Sequence, residues 1–412
     1  MHLDWGPEVE SFRAELIAFL DEHAPPQTRV RQDFASGYRS ERIDAPASGS
    51  LDQRAGQSRR DEIIPQWARD WQATLFDHGW MIPGYPPELG GRNASPVQTM
   101  VYLEEMSARG IPRALHFPGY AIVAPSLLDF GTPEQKALVP AAIRGDAIWC
   151  IGMSEPNAGS DLAGLQTRAV LDGDRFIVNG QKVWTSYAMV AEKCCLYVRT
   201  DPTAPKHKGI SMLIVDMDTP GIDIRPLTHI NGNADFAEVF FTDVEVPAAN
   251  LVGALNDGWR ITQGSLAHER AGLWVEGVAR LEQTITGLVD LAHRRGVAND
   301  PIVRRRIAEG YQRAASLRAL GYKGFTSFAQ GSSAPEHSYM KLASSEQGKA
   351  LYELGMEIQG AYGPVVDEER GEEAGRWALS FFVSFANTIA GGTSEIQRNI
   401  IAQRVLGLPR GA

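Results

Sequence analysis

Arg175-Phe-Ile-Val-Asn-Gly-Gln-Lys-Val-Trp-Thr-Ser186 is the stretch on which the reading of the fold turns. Its β-branched and aromatic residues predict strands, and Asn179-Gly180 between the runs 175–178 and 181–184 is a hairpin signal, because both residues tolerate positive φ. Further strand-like runs follow at 195–199, 210–215 and 238–241, with turn residues between them. On both sides the period changes from two residues to about 3.6. Upstream, Val9, Phe12, Leu16, Phe19 and Leu20 share one helical face that ends at Pro25-Pro26, and helical patterns resume near Trp67 and run to about residue 145. The segment 27–63 between them is polar and rich in Arg, Ser and Gly, and reads as a surface excursion. Downstream, Leu273, Leu281, Leu288 and Leu291 recur on one face, and segments near 302–330, 338–360 and 377–405 follow suit. Helices, then a β segment, then a helical bundle is the order the chain predicts, with no internal repeat.

Composition removes several classes of function. A net charge of −10 lacks the basic face a nucleic-acid footprint needs, although a few local cations or helix ends still suffice for a phosphate-bearing small molecule. Every apolar run is broken by charges short of a membrane span, and the acidic start of the chain lacks a signal-peptide pattern, so a soluble, cytoplasmic protein is expected. Cys150, Cys194 and Cys195 make no disulfide framework and read as reduced thiols. Glycine-rich dinucleotide and phosphate loops, a serine-hydrolase elbow and metal-spaced His/Cys clusters are all missing from the sequence.

Three stretches are chemically unusual. Residues 153–164, Met-Ser-Glu-Pro-Asn-Ala-Gly-Ser-Asp-Leu-Ala-Gly, combine small residues that permit close backbone approach with the hydroxyls of Ser154 and Ser160; alone they are a polar ligand loop or a tight turn. Trp184 offers a flat surface beside the hydroxyls of Thr185 and Ser186, suited to an aromatic cofactor or to a core. Gly391-Gly-Thr-Ser394 opens an amphipathic helix, either as a site for an anion or thioester oxygen at free N–H groups or as an ordinary cap.

Together, in this order, these stretches resemble the acyl-CoA dehydrogenase family. The match extends to Gly79-Trp-Met-Ile-Pro-Gly-Tyr-Pro86, Asp129-Phe-Gly-Thr-Pro-Glu-Gln-Lys136, Phe240-Phe-Thr-Asp-Val-Glu-Val-Pro247, Asn250-Leu-Val-Gly253 and the tail Arg404-Val-Leu-Gly-Leu-Pro409, so it covers nearly the whole chain. The resemblance implies an α+β fold with an N-terminal helical domain (1–147), a central β-barrel domain (148–253) and a C-terminal four-helix bundle (254–412). It implies a flavoprotein oxidoreductase of fatty acid or lipid degradation that binds FAD between the β domain and the C-terminal helices. Met153 and Ser154 would meet the pyrimidine edge of the flavin, Trp184 would flank the ring with Thr185 beside it, and Ser186 would sit near N5. Thr393 and Glu395 fall where members contact the adenosine diphosphate half, and Ser160 where they touch the CoA portion of the substrate. An electron-transferring flavoprotein is the implied acceptor, and self-association or a homologous subunit is expected.

Removing an α-proton from a thioester requires a base, and many members place a Glu directly before the Gly-Thr of the third stretch. Here that position is Gly391, which cannot act as one. Either the chain is catalytically dead, or the base stands on a helix after the β domain, as in isovaleryl- and long-chain-type members, where Glu precedes Arg. His268-Glu-Arg270 matches that pattern, making Glu269 the expected base, with Arg270 shaping the site or pairing with a carboxylate. Gly391 would still offer its N–H to the thioester oxygen and, lacking a side chain, would admit a branched or bulky acyl group. A second departure is the absence of Arg-x-x-Phe-Gly at 293–301, with Glu357 where Gln is common. It leaves open a non-catalytic or FAD-completing subunit that supports a homologous partner, as well as an oxidase of the same fold.

Overall fold

The computed structural model describes residues 5–26, 64–113, 117–232, 234–269, 273–329, 336–366 and 369–409, without the side chains of 264–269, 273, 328–329 and 336–338. The expected surface excursion at 27–63 lies outside the described residues.

The first helix, α1 (Pro7–His23), buries the five residues its periodicity singled out, Val9, Phe12, Leu16, Phe19 and Leu20. It packs on α3 (Pro96–Ala108), whose N-terminus is fixed by a Ser95/Gln98 capping box. Between and after them come α2 (Gln66–Asp77), α4 (Ala124–Phe130), α5 (Pro133–Lys136) and α6 (Val139–Arg144).

Eight strands follow: β1 (Trp149–Gly152), β2 (Arg168–Asp172), β3 (Arg175–Ser186), β4 (Lys193–Arg199), β5 (Ile210–Asp216), β6 (Ile222–Leu227), β7 (Phe236–Pro247) and β8 (Leu251–Val252). They pair in one sheet, ordered β6-β7-β3-β2-β4-β5-β8, and β1 runs parallel to the first half of β4 while β2 touches its far end. Asn179-Gly180 is not the hairpin turn. The turn falls at Gly173, with φ +64, between β2 and β3, while Asn179-Gly180 sits inside β3 at a bulge opposite β7. Tertiary pairing decides this. Asn179 exchanges two 2.9 Å hydrogen bonds with Asp243, and a Cβ on Gly180 would lie 2.6 Å from the Cα of Thr167.

The remaining helices are α7 (Gly258–Glu269), α8 (Leu273–Arg294), α9 (Pro301–Ala329), α10 (Glu336–Gln359), α11 (Arg376–Ile389) and α12 (Ser394–Ile400). The helix expected over 377–405 is broken at Gly391-Gly392, both with positive φ, before α12 begins. Helices α8 to α11 pack as a bundle, with α10 touching the other three. Gly355 lets α11 approach α10, since a Cβ there would lie 2.1 Å from the Trp377 ring. Helix α3 lies on α8, where Arg113 pairs with Glu276 and Gln283 donates to the Ser107 carbonyl at 3.0 Å, so N-terminal helices and bundle share one apolar core. That core also covers one face of the sheet. A second core, including Phe176, Val178, Val198, Leu213, Val239 and Phe241, covers the other. No helix among the described residues is long and apolar enough to cross a membrane. Cys150, Cys194 and Cys195 are buried free thiols.

Candidate functional site

Met153 and Ser154 follow β1 directly and are strapped to β3. The Lys182 ammonium donates to the Met153 carbonyl at 3.0 Å and to Glu155 Oε1 at 2.8 Å, and the Val183 N–H donates to the Ser154 carbonyl at 2.9 Å. Sequence reasoning passed over Lys182 and Glu155. The signal was available, because Lys182 has the inward parity of Phe176 and Val178 on the same strand.

One residue beyond this strap the β3 register against β7 shifts between Lys182 and Thr185. Trp184 takes up the bulge with φ +61, a left-handed conformation that costs a non-glycine residue about 1–2 kcal/mol. The bulge turns the indole out of the sheet, 59% exposed, with Phe236 edge-on at 6.0 Å between centroids. Ser186 pairs with Phe236 in register and is half-buried. Thr185 faces inward instead; it is 1% exposed, and its hydroxyl is buried without a hydrogen-bond partner among the described residues. Met153, Ser154, Trp184 and Ser186 are therefore gathered at one end of β1 and β3, and Thr185 lies behind them.

This arrangement fits a flavin. A large indole held in a strained conformation and left mostly bare, next to an ordered backbone edge and two serine hydroxyls, offers a face and hydrogen-bonding groups to a flat heteroaromatic ring. Close by, His229 Nδ1 lies 3.9 Å from Asp235 Oδ2, and the His229 ring packs on Phe236 at 4.8 Å. Burial pushes the Asp235 carboxyl up to about 6 and lowers the His229 imidazole below its ordinary value. Neither residue was singled out from sequence.

The Gly391-Gly392 turn forms a second cluster with α10 and α12. Gln397 Nε2 donates to the Gly391 carbonyl at 2.9 Å, and Lys341 Nζ to the Gly392 carbonyl at 2.6 Å. Thr393 is the N-cap of α12, its hydroxyl accepting from the Ile396 N–H, and Ser394 bonds Glu346 at 2.5 Å. Glu395 is exposed; its own backbone N–H, then the Thr393 hydroxyl, hold its carboxyl below the usual range. Among the described residues a Cβ on Gly391 would meet nothing within 4 Å, which leaves space beside it.

Ser160 is exposed in the loop after β1, beside the Asp161–Lys206 ion pair. Arg199 secures that loop by donating to the carbonyls of Ala163 and Leu165. The backbone of Glu269 is the last residue of α7, whose first turns are anchored by buried Ile261 and Thr262; its side chain, and Arg270 entirely, lie outside the described residues. Where Phe-Gly is missing, Arg294 pairs with Glu372 and Glu373, while Glu357 is engaged by Arg306. Among the described residues no cluster of His, Cys, Asp and Glu could hold a metal ion.

Comparison with known proteins extends over nearly the whole chain. Sequence models of the acyl-CoA dehydrogenase N-terminal, middle and C-terminal domains match residues 40–146, 150–244 and 256–406. "Acyl-CoA dehydrogenase IpdE1" of Mycobacterium tuberculosis is 38% identical, covering 98% of this chain and 99% of its own. The protein of that name from Mycolicibacterium smegmatis is 34% identical, covering 98% of each. Among solved structures, "Tcur3481-Tcur3483 steroid ACAD" superposes with a TM-score of 0.80 at 30% identity over 100% of both chains. The ChsE4-ChsE5 complex from Mycobacterium tuberculosis gives 0.78 at 30% identity, also over 100% of both. A segment strapped to β3, an outturned tryptophan and a glycine turn before a capped helix thus occur on a chain that belongs to the acyl-CoA dehydrogenase family of flavin-dependent oxidoreductases.

Proposed function

We propose that the chain catalyses FAD-dependent α,β-dehydrogenation of an acyl-CoA thioester to the trans-2-enoyl-CoA, with Glu269 as the base. The reading is carried by the meeting of Met153 and Ser154 with the exposed, left-handed Trp184 and with Ser186 at one end of the sheet. Trp184 would flank the ring system, Met153 and Ser154 would hold its pyrimidine edge, and Ser186 would meet its reactive side. Thr393 and Glu395 serve the adenosine diphosphate half, and Ser160 the CoA portion. FAD, when bound, supplies the acceptor for the hydride that leaves the β-carbon.

Glu269 removes the α-proton from its place at the end of α7. A carboxylate in a water-poor cleft has a raised pKa and is a stronger base than one in water. Arg270 would shape the substrate site or pair with a carboxylate. Gly391 directs its N–H to the thioester oxygen, where a donor of this kind typically contributes about 3–4 kcal/mol to a developing enolate. The open space at Gly391 suits a branched or bulky acyl group, and one structural relative carries "steroid" in its title. An electron-transferring flavoprotein then receives the electrons.

A homologous partner subunit is the second reading. Arg294 and Glu357 make ion pairs within the chain, and two structural relatives were solved under paired titles. One experiment separates these. The purified chain is inspected for flavin absorbance and titrated anaerobically with acyl-CoAs of varied shape. Bleaching supports the dehydrogenase. Colourless protein that becomes yellow only with a homologous partner supports the dependent subunit, and rapid peroxide formation in air marks an oxidase. Glu269→Gln should stay yellow and fail to bleach; normal bleaching would overturn the assignment.

A further inference from the structure

We infer that the buried Lys182–Glu155 ion pair is a positioning device that sets the backbone edge and the indole at the proposed flavin site as one unit. It rests on the flavin reading above and extends it to two residues that do not touch the ring. Lys182 is 0% exposed, and an ammonium so placed is tolerated only when paired and hydrogen-bonded. Its stem passes Gly152, where a Cβ would stand 3.4 Å from Lys182 Cγ and 2.6 Å from a Leu196 methyl. The ammonium then reaches two oxygens, the Met153 carbonyl and Glu155 Oε1. Glu155 is fully used as well, Oε1 accepting from the Thr167 N–H at 2.8 Å and Oε2 from the Gln166 N–H at 2.6 Å.

The consequence for the site follows from the planar trans peptide. With the Met153 carbonyl turned inward to Lys182, the Ser154 N–H of the same peptide points to the opposite side. With the Ser154 carbonyl bound to Val183 N–H, the next peptide is fixed too, and its own N–H, on Glu155, closes a small turn on the Ala158 carbonyl at 3.1 Å. The orientation of the whole 153–155 edge is thus set from behind. Lys182 is also the last residue in register before the bulge that turns Trp184 outward, so one side chain ties the edge to the strand that aims the indole. Simple burial of a neutralised pair would not require a bond to the Met153 carbonyl.

The test compares wild type, Lys182→Met, Glu155→Gln and the double variant Lys182→Met/Glu155→Gln in the full chain, measuring FAD affinity, visible circular dichroism of bound FAD and thermal midpoint. Loss of a charged hydrogen bond to the edge predicts FAD binding weakened roughly tenfold or more in Lys182→Met. The single variants also lower the midpoint, because each leaves an unpaired buried group. The double variant removes both charges and regains part of the midpoint, its amide oxygen still accepting from one of the two backbone N–H groups, yet its FAD affinity stays low and the dichroism of bound FAD stays altered. FAD affinity recovering together with the midpoint would show a purely structural pair and overturn the inference. If Lys182→Met does not fold, Glu155→Gln and the double variant still decide between the two. Wild type that takes up no FAD would instead overturn the functional reading, and this inference with it.

Discussion

Replacing Asp235 by Asn should stabilise the protein at neutral pH, and the size of the effect can be worked from its surroundings. Asp235 begins the approach to β7 beside His229 and Phe236; its side chain is 26% exposed, and burial alone raises its carboxyl to about 6 from an ordinary 3.8. Burial also lowers the His229 imidazole below its ordinary value, which disfavours a compensating cation beside Asp235. A carboxyl whose folded-state pKa lies above its unfolded-state value holds its proton longer in the folded chain. The folded state therefore loses stability as pH rises from about 4 to 6, and above 6 carries the full cost of a buried anion. The difference between the two values corresponds to about 3 kcal/mol, and partial exposure reduces the expectation to about 2 kcal/mol. Unfolding free energies from urea titrations of flavin-free wild type and Asp235→Asn, on transitions of equal slope, should differ by that amount at pH 8. By pH 4.5 the gain should shrink to about a third. Equal midpoints at pH 8, or a gain that does not change with pH, would refute the assignment of Asp235 as a desolvated carboxylate.

Other outcomes test the site and the packing. In a Glu269→Gln background, Gly391→Glu should restore part of the flavin bleaching, since its Cβ has free space; the left-handed φ of +64 costs about 1–2 kcal/mol in thermal stability, and no restored bleaching would place residue 391 away from the α-proton. Trp184→Asn should raise the stability of flavin-free protein by about 1 kcal/mol, because Asn tolerates φ +61, while weakening FAD binding; unchanged affinity on titration would remove Trp184 from the site. Gly355→Ala should lower the thermal midpoint by an amount equivalent to about 1–3 kcal/mol, as its Cβ would overlap the Trp377 ring; a wild-type midpoint would contradict the close α10–α11 approach.

The face of α1 was legible because one period and one burial surface fix it, and the same holds for Leu281, Leu288 and Leu291 in α8. Met153, Ser154, Trp184 and Ser186 stood out as residue types before any geometry was known. What the sequence could not settle was where each of them points. Asn179-Gly180 carries the chemistry of a hairpin turn, yet pairing with β7 and the close approach of Thr167 place it inside a strand, since local preference yields to tertiary contacts worth more. Thr185 and Ser186 are neighbours of similar chemistry, and only the bulge at Trp184 sends one hydroxyl inward and leaves the other at the site. Lys182 has inward parity on β3, but only packing brings Glu155, far away in the chain, beside it in the core. Periodicity and composition report on short-range free energy. The aim of a side chain depends on partners brought together from remote segments, and that information exists only once the chain has packed.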